Sequence, residues 1–190
     1  MKNKRNPSIT ALSSAAFLLM VVLLYVFVPT LAISINRSLE MMSTGSAKGL
    51  MMIYYQYGAW AFLFAGLTHM IQILGVVFNG SVVSVACYGL FSPLSAKAIL
   101  LISGLMAVTF AYGLGNSISH VILGLKSIKP WTEKLPTLKG KLEYGALALV
   151  FACIAVGPGL MSLLLYGFGM IRLDYKKVLA VSALGFIIFN

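Results

Sequence analysis

Of 190 residues, 60% are hydrophobic and only 9% charged, with a mean hydropathy of +0.97. A soluble domain carries roughly a quarter charged residues and cannot hide this much apolar surface, so the composition excludes one. The net charge of +10 is spread between apolar runs, with aromatic residues inside those runs. That pattern speaks against nucleic-acid binding and for membrane topology and anionic lipid head groups.

The expected architecture is a single integral membrane domain over residues 1–190, all-α and polytopic, in a prokaryotic cell membrane. Five apolar stretches follow one another. The first, 11–35, comes after Lys2, Lys4 and Arg5; at about 25 residues it exceeds a signal-peptide core and predicts a first transmembrane helix. The second, 54–91, is interrupted by the turn signal Asn79-Gly80. The third covers 96–125. The fourth, 144–170, is broken by Gly157-Pro158-Gly159. The last, 178–189, is short for a perpendicular span unless 173–177 begins the same helix. Polar linkers are expected at 36–48 and 126–143.

Part of this order occurs twice. Residues 57–66 read YGAWAFLFAG and residues 144–153 read YGALALVFAC, identical at six of ten positions. Tyr88-Gly89 is then trailed by Leu94, Lys97, Leu100, Ser103 and Leu105. Tyr166-Gly167 is trailed by Leu173, Lys176, Leu179, Ser182 and Leu184. The units are repeat 1, residues 57–125, and repeat 2, residues 144–190. Repeated pairs of hydrophobic segments are common in membrane transporters, whose substrate paths lie between the halves.

Charge decides how the broken segments sit. As simple spans, they put the lysines at 126, 129, 134, 139 and 141 opposite the basic N-terminus, against the positive-inside tendency. As re-entrant hairpins turning at Asn79-Gly80 and Gly157-Pro158-Gly159, they leave the N-terminus, the long linker and the Arg172/Lys176/Lys177 turn all in the cytoplasm. That side then holds eleven of the fourteen basic residues (three, five and three), leaving Arg37, Lys48 and Lys97 outside. The expectation is therefore an inverted repeat with two re-entrant helical hairpins and about three full transmembrane helices. Irregular backbone at membrane depth must face protein or water, so the hairpin tips should meet and line a cavity.

The chain also resembles a family. Its C-terminal half, KLEYGALALVFACIAVGPGLMSLLLYGFGMIRLDYKKVLAVSALG, is similar to the small multidrug export proteins of bacteria and archaea, related to the DedA/VTT membrane proteins. The shared pattern is a Tyr-Gly opening, an apolar run, the Pro158-Gly159 break, a Gly-Met before a charged turn and a glycine in the last helix. In the first half, YGLFSPLSAKAILLISGLMAVTFAYGLGN is similar to the family's segment ending in Gly-Asn, here Gly115-Asn116. The resemblance covers about residues 57–185 and implies the hairpin fold. It also implies an acidic residue and an arginine in the first hairpin, yet residues 80–84, GSVVS, have neither, nor a proline matching Pro158.

Ion-coupled transport generally uses an ionisable group inside the membrane. The four acids, Glu40, Glu133, Glu143 and Asp174, fall in linkers or at segment ends, leaving only His69 and His120 to titrate within the apolar runs. A carboxylate-based proton antiporter is thereby disfavoured, whereas an apolar or amphipathic substrate could still pass along a polar groove. Imidazoles on two helices can ligate haem or metal, but an interhelical hydrogen bond is the better reading of both histidines. The pairs Met41-Met42 and Met51-Met52 could hold Cu(I), though without His or Cys partners interfacial packing is the better reading. Cys87 and Cys153 have no spacing motif and read as buried thiols. Gly113-Leu114-Gly115 lacks a phosphate-loop lysine and reads as a close-packing surface.

The candidate substrate-binding residues are Asn79, Gly80, Asn116, Gly157, Pro158 and Gly159. No catalytic residue and no cofactor is expected. The expected function is a small transporter or lipid-moving protein of DedA/VTT type, with membrane lipids as partners. The alternative is a non-catalytic subunit of a larger membrane complex, as a homo-oligomer or with other proteins. A haem-binding electron-transfer subunit comes third.

Overall fold

The computed structural model describes residue 23 and residues 25–75, 81–123, 135–156, 158–170 and 173–189. Among them are eight α-helices and one 3-10 turn, and no strand. The helices are α1 Pro29–Thr44, α2 Ala47–Gln56, α3 Ala61–Leu74, α4 Val82–Leu90, α5 Pro93–Leu123, α6 Leu135–Val156, α7 Pro158–Met170 and α8 Tyr175–Phe189. The 3-10 turn, Gly58–Trp60, leads into α3.

The start of the chain departs from expectation. The helical residues 25–27 give way to Val28 and α1 begins at Pro29, so no single helix ends near residue 35. Proline disfavours helical backbone in the residue before it, while its fixed φ suits the first helical position. The expected linker 36–48 is mostly helical. α1 runs on to Thr44 and stops at Gly45, whose φ of 74° returns its N–H to Met41 and Met42 carbonyls. Ser46 then caps α2 by accepting from the Gly49 N–H.

α5 carries the fold. Within it Pro93–Ile118, 26 residues with mean hydropathy 1.9, is the one helix among the described residues long and apolar enough to cross a membrane. α3 lies beside it in the same direction. Gly66 packs on Ile99 and Ser103, and His69 on Ser103. α4 links the far end of α3 to the start of α5 across Phe91 and Ser92, so it runs back against both.

α8 runs opposite to α5, with Tyr175 at Thr109 and Phe186 against Gly104. α6 is parallel to α8: Lys177 Nζ sits 6.0 Å from the Tyr144 ring centre, and Ile154 packs on Gly185. α6 therefore ends near the level of Gly104 in α5. α7 starts two residues later, and near its far end Gly169 rests on the backbone of Tyr112 and Asn116. Pro158 to Gly169 spans about 16 Å of helix, the same rise as Gly104 to Gly115. The lengths close only if α7 runs back along α6. α6 begins nine residues ahead of Tyr144, absorbing Lys139, Lys141 and Glu143 from the expected linker.

Two cores result. One gathers α1–α4 and the start of α5 around Met42, Leu50, Tyr54 and Val83. The other gathers the end of α3 with α5–α8 around Ile73, Val108, Val150 and Leu165. α8, with 15 residues, reaches about 22 Å.

Candidate functional site

Three hydroxyl side chains of this apolar bundle follow one local rule. A helical Ser or Thr gives its proton to a carbonyl one turn back, and its oxygen then receives a donor from another helix. Thr68 donates to Ala65 O at 2.9 Å and receives the Tyr54 hydroxyl from α2 at 2.6 Å. Ser103 donates to Ile99 O at 2.6 Å, so His69 Nδ1 carries the proton of its 2.7 Å bond to Ser103 Oγ. Thr109 donates to Leu105 O and receives the Tyr175 hydroxyl from α8, both at 2.8 Å. Each bond ties two helices and leaves no hydroxyl proton of the pair idle.

Thr68, His69 and Gln72 are all buried on one face of α3. Residues three and four apart lie close on a helix, as His69/Gln72 and Thr68/Gln72 are, so the three form a short polar strip facing α2 and α5. Phe186 closes it from α8, its ring centre 6.3 Å from that of His69. Two tyrosines add direct staples to backbone. The Tyr112 hydroxyl donates to Leu173 O, and the Tyr166 hydroxyl reaches Leu74 O at 3.4 Å. The second bond joins the end of α3 to α7, which is where the folded-back pairs α3–α4 and α6–α7 meet.

Beside the strip lies an apolar cleft of about 700 Å³ between α3 and α5, walled by residues such as Phe62, Leu63, Gly66, Ile102 and Met106. Ser103 also lines it, so the cleft shares a wall with the His69 pair.

Of the candidate residues, Asn79, Gly80 and Gly157 lie outside the described residues. Pro158 and Gly159 form the first turn of α7. Asn116 is half-buried on α5, its backbone under Gly169 near the opposite end of α7. Asn116 thus does not join Pro158 and Gly159; about 16 Å of α7 separates them. His69 lies in the strip, whereas the His120 side chain is outside the described residues. Among the described residues no three His, Cys, Asp or Glu gather as a metal group. Cys87 is a buried free thiol and Cys153 a half-buried one. Tyr54, Thr68, Gln72 and Ser103 were missed as site residues, although a Thr-His-x-x-Gln string inside an apolar run signals polar atoms that must find partners.

Compared with protein-family models, curated proteins and solved structures, the chain matches none of them.

Proposed function

We propose that the chain is a small membrane transporter or lipid-moving protein of DedA/VTT type, built as an inverted repeat with two re-entrant hairpins. The observation that carries this reading is directional. α5 and α8 follow the two folded-back pairs at matching places in the sequence repeat, and they run antiparallel. Two like units entering from opposite faces require that relation. The bond between Leu74 and Tyr166 joins α3 to α7, which supports a substrate path between the two folded-back pairs. With no acid inside the apolar runs, the substrate is apolar or amphipathic and the movement is not carboxylate-coupled.

The test is translocation of a fluorescent phospholipid across vesicles holding the full chain. The expected result is transfer above protein-free vesicles, with Gly157→Leu or Gly159→Leu lowering the rate at least tenfold while insertion is unchanged. Transfer equal to protein-free vesicles rejects the reading. The same shortage of intramembrane acids favours a second one, a non-catalytic subunit of a larger membrane complex. Its mark is purification only together with partner proteins.

A further inference from the structure

We propose that the cleft between α3 and α5 holds one acyl chain of a membrane phospholipid, taken from the leaflet in which α5 begins. This goes beyond the transport reading and does not need it, because a lipid can be resident without being moved.

Depth is the first argument. The cleft runs from Phe62 and Ser95 to Met70 and Met106. Ser95 to Met106 is about 16 Å of helix, and one leaflet is about half of a 30 Å hydrocarbon core. Trp60, 67% exposed just before α3, marks the shallow end at head-group level. The cleft thus covers one leaflet from its interface inward.

Shape and chemistry agree. A volume of about 700 Å³ bounded by aliphatic and aromatic walls suits a flexible hydrocarbon. The walls continue into exposed apolar surface at Phe62, Leu63, Ile102 and Met106, so the cleft opens directly onto lipid. At the shallow end the α5 N-terminus has no acid in its first turn, and Lys97 is exposed in the turn that follows. Positive potential there complements a lipid phosphate. The deep end stays apolar because the Ser103 hydroxyl is already committed to Ile99 O and His69.

Gly66 gives the decisive substitution. A methyl there would lie 3.7 Å from Ser103 Cβ, an ordinary contact, so Gly66→Ala fits. Gly66→Leu would project further into the cleft. The full chain, purified in detergent, is examined by native mass spectrometry. The expected result is one phospholipid per chain in the parent and in Gly66→Ala, with occupancy at least tenfold lower in Gly66→Leu. Ala98→Phe, from the opposite wall, repeats the test should Gly66→Leu fail to fold. A photoreactive residue at Ala98 should capture lipid hydrocarbon. Equal lipid in parent and filled variants, no retained lipid, or capture of the chain's own residues 11–35 would each overturn the proposal.

Discussion

Ser103 and Ser182 hold matching places in the two repeats, yet their surroundings differ. Ser103 has His69 and Ile99 O, whereas the Ser182 hydroxyl is fully buried with no hydrogen-bond partner among the described residues. Tyr57 pairs with Tyr144 in the repeat, and the same offset sets His69 against Val156, so the second unit has an aliphatic residue at the donor's place. Removing a satisfied hydroxyl leaves a buried donor idle, while removing an unsatisfied one relieves a desolvation cost. Ser103→Ala should therefore destabilise by about 1–2 kcal/mol and Ser182→Ala should be neutral or stabilising by up to about 1 kcal/mol. Thermal unfolding in detergent reads both, and equal losses would show that the repeat, not the partner, sets their cost. The interhelical bond of His69 was legible because an imidazole in an apolar run must find a partner. Its mate was not, since a serine in a helix can equally settle on its own backbone.

Helix boundaries were legible where a residue forces them. Pro93 and Pro158 open helices, and the expected break around Gly157 separates α6 from α7. Composition misleads at 36–48 and 135–143, where polar side chains read as loops but the chain is mostly helical. Amphipathic helices also carry polar side chains, and α1 and α2 bury Ile35, Met42, Leu50 and Tyr54 behind theirs. The close packing expected at Gly113-Leu114-Gly115 is met at Gly115. A Cβ on Gly115 would strike the Tyr166 backbone, and one on Gly169 would strike Tyr112 and Asn116. Gly167, two residues away, has nothing within 4 Å of that position. Gly169→Ala must push α7 off α5 and should cost about 1–3 kcal/mol. Gly167→Ala should stabilise by up to about 1 kcal/mol, because alanine loses less backbone entropy in a helix. A similar change in melting temperature for both would mean that α5 and α7 do not cross at glycine.

At the scale of the whole molecule, orientation follows from combining chain direction with charge. α7 returns along α6, so the start of α6 and the start of α8 lie on one side of the bundle. The opening turns of α6 carry Lys139 and Lys141, and the first turn of α8 carries Lys176 and Lys177. α5 starts at the opposite end, where Lys97 stands alone in its opening turns. Basic residues near membrane segments stay in the cytoplasm, because carrying each across is unfavourable. Single cysteines at Ser127 and at Asp174, placed in a chain with Cys87→Ala and Cys153→Ala, should therefore both react with an impermeant maleimide only from the cytoplasmic face. A cysteine at Ser92, before α5, should react only from outside. Reaction at Ser127 and Asp174 from opposite faces would make α6–α7 a crossing segment. The inverted repeat would then fail, and with it the argument for a substrate path between the tips. If both react from one face while no lipid is moved, the fold reading survives and the subunit reading gains, since the two rest on different observations.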